Sequence, residues 1–350
     1  LVICGIDEAG YGPLLGPLCV AMCALRIDDW SEGDGAPDLW ERLSPAVARA
    51  GVPAVAGKRR RGGGRGGGRG GGPGAVLVDD SKKLKLPNDA RRHPLTHLER
   101  GVLSFLLCDG ASEDRALPAN DAALLRALGV ALPAEEWYRA EPAPCPAACT
   151  EGEVRIAANV LAGAMDAAAV SLCALRCEAL FERDFNELVE ASGTKAATTQ
   201  SVLQRHLWHA WERWGAAGGG AALRVVCDRQ GGRTQYGEML AGAFPEARVT
   251  TIEEQPARSR YEVAADGPPA RRMVVQFMPE AESRHMPVAL ASMAAKLTRE
   301  TLMARFNRYW QARMPELKPT AGYRQDGWRW LNDAAAILTP AERQAMIRRA

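Results

Sequence analysis

Two apolar, strand-like runs in this chain each end on acid. Leu1-Val2-Ile3-Cys4-Gly5-Ile6 leads into Asp7-Glu8, and Leu223-Arg224-Val225-Val226-Cys227 leads into Asp228. If the two strands lie side by side in one sheet, three carboxylates meet at its rim, where mutual repulsion calls for a divalent cation. Neighbouring strand residues face opposite ways, so Asp7 and Glu8 can serve one centre only if the backbone turns there, and Gly10-Tyr11-Gly12-Pro13 supplies a turn. Asp228 precedes Gly231-Gly232, which ends its strand sharply. Glu282, within Glu280-Ala281-Glu282-Ser283 after the apolar run Met273 to Phe277, is the fourth candidate. Taken singly, each of these acids reads as an ordinary loop residue. Together, four carboxylates suit two Mg²⁺ or Mn²⁺ ions about 4 Å apart, one activating water and one stabilising the leaving oxygen of a phosphodiester.

The remaining pattern points to a mixed α/β fold, with helices on a central sheet. Residues 1 to 27 read as a hairpin of strands 1–7 and 17–27, and a short helix is expected near 39–50. Strand-like order resumes at Ala75-Val76-Leu77-Val78. Residues 85 to 222 read as mostly helical, interrupted by a Pro/Cys-rich loop at about 141–150. Within them, Val202, Leu203, His206, Leu207, Ala210, Trp211 and Trp214 recur at helical spacing and read as core. A helix is expected near 235–243 and another from Val288 to Met314. The latter opens with Ala289, Ala291, Ser292, Ala294 and Ala295, small enough for close packing on the sheet.

At 350 residues the chain is long for one domain, but its insertions account for the excess, and one elaborated catalytic domain over 1–350 is expected. The tract 57–74 carries Lys58, Arg59, Arg60, Arg61, Arg65 and Arg69 among glycines, has no acid, and is expected to be disordered. From Lys296 onward, 11 basic residues face 5 acidic ones. Basic charge is therefore concentrated in two regions despite a net charge of only +2, as suits a polyanionic partner. No apolar stretch reaches the roughly 20 residues that span a bilayer, and no signal peptide precedes the first strand, so a cytoplasmic location is expected. Nine cysteines, with Cys4 and Cys227 inside core strands, argue against a disulfide framework. Cys145, Cys149, Cys173 and Cys177 form two spaced pairs that could hold zinc, although Cys-x3-Cys is looser than usual ligand spacing, and unpaired thiols are the plainer reading.

The motif contexts resemble the type 2 ribonuclease H family, ribonucleases HII and HIII. Gly5-Ile6-Asp7-Glu8-Ala9-Gly10-Tyr11-Gly12-Pro13-Leu14-Leu15-Gly16-Pro17-Leu18 is similar to the family's opening motif, and Asp80-Ser81-Lys82-Lys83-Leu84 to its next. Ala281-Glu282-Ser283 followed by Ala291-Ser292-Met293-Ala294-Ala295-Lys296 resembles the fourth-acid segment and following helix. Gly322-Tyr323 resembles the late motif whose tyrosine packs on sugar at the cleavage junction.

The resemblance implies a ribonuclease H-like fold with Asp7, Glu8, Asp228 and Glu282 as catalytic metal ligands for Mg²⁺ or Mn²⁺. It further implies endonucleolytic cleavage of RNA in RNA–DNA hybrids, or at ribonucleotides embedded in duplex DNA, leaving 3′-hydroxyl and 5′-phosphate ends. Gly10, Tyr11, Gly12, Ser81, Lys82, Lys83, Lys296 and Tyr323 are the implied substrate-binding residues. Glutamate at the fourth position leans toward the HIII type. Tyr11 departs from the family's usual Arg or Lys, keeping the turn but removing a cation near phosphate. Two alternatives stay open: a catalytically weak nucleic-acid-binding protein on this scaffold, and a DNA-directed nuclease of the same fold. A monomer is the expected state, and His285 reads as a surface residue.

Overall fold

Val2–Ala9 forms β1 and Leu18–Ile27 forms β2, paired antiparallel from Val2 opposite Arg26 to Ala9 opposite Cys19. Along β1, Val2, Cys4 and Ile6 enter one core and Ile3 enters another. Both faces are thus covered, which is why this strand reads as unbroken apolar sequence instead of alternating. This computed structural model describes residues 1–31, 33–51, 74–87, 90–108, 116–216 and 222–349. The Gly/Arg tract, apart from Gly74, lies outside the described residues.

The other strands are β3 (Val47–Ala48), β4 (Val76–Leu77), β5 (Val170–Leu180), β6 (Leu223–Asp228), β7 (Arg248–Gln255), β8 (Arg258–Ala265) and β9 (Arg271–Met278). Seven of them build one mixed sheet in the order β5-β2-β1-β6-β9-β8-β7. Its centre, β1-β6-β9, is parallel, and the flanking pairs are antiparallel. The helices are α1 (Leu39–Arg42), α2 (Ser81–Leu84), α3 (Thr96–Leu107), α4 (Asp121–Ala127), α5 (Glu151–Ala167), α6 (Glu182–Ser192), α7 (Ala196–Trp214), α8 (Gly237–Ala243), α9 (Met286–Arg313), α10 (Arg324–Asp333) and α11 (Pro340–Ala345). One sheet face is covered by α9 with α3 and α5 behind it, the other by α6, α7 and α8. The fold is mixed α/β, a central sheet flanked by helices.

The small-residue opening of α9 is buried throughout, from Met286 to Ala295. Close approach is enforced at Gly5, where a Cβ would sit 2.2 Å from the backbone carbonyl carbon of Pro287. Any side chain there would lift the first turn of α9 off the sheet.

Several expectations need correction. The helix near 39–50 ends at Arg42, before Ser44-Pro45, and the chain then forms β3. Residues 85–222, read as mostly helical, hold a long strand as well as helices among the described residues. They contain β5, an 11-residue edge strand paired with β2 from Leu18 opposite Leu180 to Ile27 opposite Val170. Its alanines and its cysteines one helical turn apart hide the strand, which is fixed by its partner more than by local preference. The β7–β8 hairpin carries no clear sequence signal either, because β7 is an edge strand exposed on both faces.

Candidate active site

Parallel pairing of β1 with β6 sets Ile6 opposite Cys227, so Asp7 and Asp228 lie level at adjacent strand ends. Asp228 is itself opposite Met278, the last residue of β9. A short 3₁₀ turn, Ala281–Ser283, then brings Glu282 back to the same rim. The expected turn between Asp7 and Glu8 is absent: Glu8 still pairs with Val20, and Ala9 with Cys19. Glu8 joins the group because β1 runs past the end of β6, so its side chain overhangs that end. The chain bends only at Gly10, whose φ of +92° is one that glycine adopts without strain.

The four acids form one electrostatic neighbourhood. Burial drives the Asp7 carboxyl well above the ordinary carboxylate range, and Glu8 and Asp228 push the same way against hydrogen bonds from Ser292 and the Glu8 amide. Glu8 is raised to about 7, by burial first and then by Asp228 and Glu282, with Lys82 opposing. Asp228 and Glu282 are also raised by burial. Asp228 is partly relieved by the Ala281 amide, 3.0 Å from its Oδ1. The Oε2 of Glu282 is buried without a hydrogen-bond partner among the described residues.

Oxygen-only donors and an orphaned carboxylate oxygen fit hard divalent cations such as Mg²⁺ or Mn²⁺. Among the described residues, however, no group of three or more His, Cys, Asp or Glu side chains is already arranged as a metal cage. The rim is a cluster of mutually repelling acids, with its coordination geometry not drawn together.

Ser81-Lys82-Lys83-Leu84 forms α2, and Asp80 caps it by accepting the Lys82 amide at 2.9 Å. Ser81 is buried and shares a 3.0 Å hydrogen bond with Ser292 of α9, whose hydroxyl also bonds Asp7. This docking presents Lys82 to the rim, where it acts on Glu8, Asp228 and Glu282. Lys83 instead pairs with Asp79 at 3.3 Å. Lys296 is held in an ion-paired trio with Glu300 and Lys85.

Beyond Glu8 the Gly10–Gly16 loop forms a lip pinned by two arginines. Arg348, near the end of the chain, donates to the carbonyls of Gly10 at 2.6 Å and Tyr11 at 2.7 Å. Arg299 donates to Leu15 and Ala321. The Leu14 and Leu15 amides both reach the Gly322 carbonyl, which places Tyr323 beside the same loop. Tyr11 (40% exposed) and Tyr323 (52%) are therefore two uncovered aromatics on one lip. Lys195 stands 5.0 Å from the Tyr11 ring centroid, and burial lowers its ammonium pKa, helped by Arg348 and Arg324. A Cβ at Gly12 would meet nothing within 4 Å, so that glycine leaves open space on the lip.

Sequence reasoning missed Ser292, Arg348 and Lys195 as parts of this region. Ser292 stood out as a small residue within the Ala291 to Lys296 motif but with no link to Asp7, and nothing local links Arg348 or Lys195 to a loop more than 180 positions earlier. The cysteine pairs do not converge. Cys145 and Cys149 neighbour Glu99, Cys177 neighbours Cys19, and Cys173 neighbours Cys4 and Cys23. No helix among the described residues is long and apolar enough to cross a membrane.

No protein-family model matches the chain, and no curated protein matches it. Among solved structures, the chain is similar to ribonuclease HII from Archaeoglobus fulgidus, seen in a complex with PCNA. That match has 13% identity and a TM-score of 0.40, covering 99% of this chain and 94% of the other. It is also similar to ribonuclease H2 from Pyrococcus horikoshii OT3, at 13% identity and a TM-score of 0.40, covering 100% of this chain and 93% of the other.

Proposed function

We propose that this protein is a divalent-metal-dependent endoribonuclease acting on RNA–DNA hybrids or on ribonucleotides embedded in duplex DNA. The observation that carries the reading is the alignment of Asp7 with Asp228 across the β1–β6 pair, inside motif contexts that resemble type 2 ribonucleases H. Carboxyl ends of central parallel strands are where α/β sheets place ligand sites.

Asp7, Glu8, Asp228 and Glu282 would hold two Mg²⁺ or Mn²⁺ ions, which supply an activated water and stabilise the leaving oxygen. The protein's own groups do the positioning. Ser292 and the Glu8 amide orient Asp7, and the Ala281 amide fixes one oxygen of Asp228. Lys82 provides a cation for a phosphate flanking the scissile bond. Tyr11 and Tyr323 offer faces on which sugar or base can stack, and Lys195 restores positive charge beside Tyr11.

The test is cleavage of three duplexes, with one embedded ribonucleotide, a continuous RNA strand or DNA alone, each with Mg²⁺ and with Mn²⁺. Cutting of the first two at the ribonucleotide, falling to background in Asp7→Asn and Asp228→Asn, is expected. Tight binding without cutting would mean a binding scaffold, and equal cutting of all-DNA duplex would mean a DNA nuclease; either result sinks the proposal.

A further inference from the structure

A second charged site, with none of the four rim acids in its lining, adjoins the acidic rim at Met278 and Arg284. On the α9 side of β6, β9 and β8 a cavity of about 420 Å³ opens between the start of α9 and segment 34–39. Its floor is aliphatic, from Ile3, Val226, Val274, Met278 and Pro287. Its polar lining is dominated by four arginines: Arg224, Arg258, Arg260 and Arg284.

Strand register explains the convergence. Val226 lies opposite Gln276, and Gln276 opposite Arg260, while Arg224 occupies the neighbouring row opposite Val274. Arg224 and Arg260 therefore rise from one sheet face two strands apart. The two like charges sense each other: burial lowers the Arg224 pKa, and Arg260 lowers it further. Trp30 backs the Arg224 guanidinium, 4.9 Å from its ring centroid. Arg258 is neutralised by Glu253 at 2.6 Å, but among the described residues Arg224, Arg260 and Arg284 form no ion pair. The two aspartates that line the cavity are engaged elsewhere, Asp34 on the Ser31 amide and Asp38 on the amides of Trp40 and Glu41.

Unpaired guanidinium groups above an apolar floor suit an anion that is itself amphipathic. The planar fork of arginine matches phosphate oxygens, and the aliphatic floor removes an organic body from water. The nearby aspartates disfavour a polyphosphate, so a single phosphate group fits best. We propose that this cavity binds the phosphomonoester of a nucleotide-sized organic anion, either a free mononucleotide or the terminal phosphate of a nucleic-acid strand. The four rim acids take no part, so this site stands or falls separately from the nuclease reading.

The experiment is calorimetric titration of the full chain in EDTA, where metal-dependent turnover is silent. The probes are AMP, inorganic phosphate, and one short oligonucleotide with either a 5′-phosphate or a 5′-hydroxyl. Saturable binding of AMP or the 5′-phosphorylated strand is expected, and which of the two binds more tightly identifies the source. Arg224→Gln and Arg260→Gln should each weaken it by at least about tenfold, and Arg224→Lys by less, since it keeps charge but loses the fork. Arg272→Gln makes the same charge change at a residue that pairs with Glu262 and does not line the cavity, and should stay within about twofold of wild type. Three results would overturn the proposal: no saturable binding of either phosphomonoester probe up to about 10 mM, equal losses in Arg260→Gln and Arg272→Gln, or equal affinity for the two oligonucleotides together with no binding of AMP.

Discussion

Two buried aspartates in this protein have opposite surroundings. Asp121, 6% exposed, faces Arg305 and Arg308, each 2.5 Å from one of its oxygens. Arg305 also donates to the carbonyls of Tyr138 and Ala140, so the pair ties α4 and segment 138–140 to α9. Asp7, 9% exposed, receives a serine hydroxyl and one amide, while its charged neighbours are Glu8 and Asp228. A carboxylate buried for structure is given cations, whereas one buried beside other carboxylates is a cost to stability that a purely structural role does not explain. Two other buried carboxylates, Glu99 and Glu182, are met by neutral donors, with Arg348 also acting on Glu182. Glu99 accepts the Ala147 and Ala148 amides, and Glu182 accepts the Gly16 amide and the Tyr138 hydroxyl.

The sharpest way to break that contrast is to neutralise each aspartate in turn. Asp121→Asn strands the buried Arg305 guanidinium and should lower unfolding stability by about 3–5 kcal/mol. Asp7→Asn removes repulsion at the rim and should leave stability in EDTA equal to or above wild type, while abolishing cleavage. Denaturant midpoints of the two variants side by side decide it. If Asp7→Asn proves as destabilising as Asp121→Asn, the rim is a structural network and the functional reading of its acids fails.

A buried base extends the contrast to pH. His206 of α7 is fully buried, with Nε2 3.0 Å from the Val20 carbonyl and Nδ1 unpartnered among the described residues. Burial holds its pKa down at about 4, well under the ordinary 6.5, so it is neutral in the native state and its Nε2–H donates to Val20. The unfolded chain binds a proton below about pH 6.5 that the folded one refuses until about pH 4. Stability attributable to this group is therefore present above pH 6.5 and declines as pH falls through that window, by about 3 kcal/mol in all. His206→Gln keeps a donor but cannot titrate, so its stability should fall less steeply between pH 6.5 and 4. Parallel pH profiles for the two proteins would remove His206 from the account.

The hairpin of β1 and β2, strand β6 and helix α9 were legible in sequence because their apolar runs are long and their ends are marked by acids or small residues. Strand β5 was not, since it is specified by ten residues of pairing with β2 and not by a clean alternation of its own. Asp7, Asp228 and Glu282 could be placed on one rim from strand ends alone. How Glu8 joins them could not, because it depends on β1 outrunning β6 and not on a local turn. The lip's motif residues were legible, but what holds the lip in place was not. Its pinning by Arg348 unites residues 338 positions apart, a contact that no periodicity reports.

The smallest effects should come from groups that support the rim without belonging to it, and Ser292 is the test case. Its hydroxyl links Asp7 to Ser81, so Ser292→Ala leaves all four carboxylates in place but frees the Asp7 side chain to rotate. Groups that orient metal-binding carboxylates typically contribute about 10–100-fold to metal affinity or activity. Ser292→Ala should therefore need more Mn²⁺ for half-maximal cleavage, with stability lowered by only about 1 kcal/mol. Ser292→Thr keeps the hydroxyl, but its extra methyl must fit where α9 presses on β1, so partial rescue of the metal requirement at some cost in stability is expected. The outcome that separates orientation from packing is the metal titration. A shift in Mn²⁺ requirement in Ser292→Ala marks Ser292 as a positioning residue for Asp7. Lower stability with an unchanged requirement marks it as core alone, and Asp7 would then owe its orientation to the Glu8 amide.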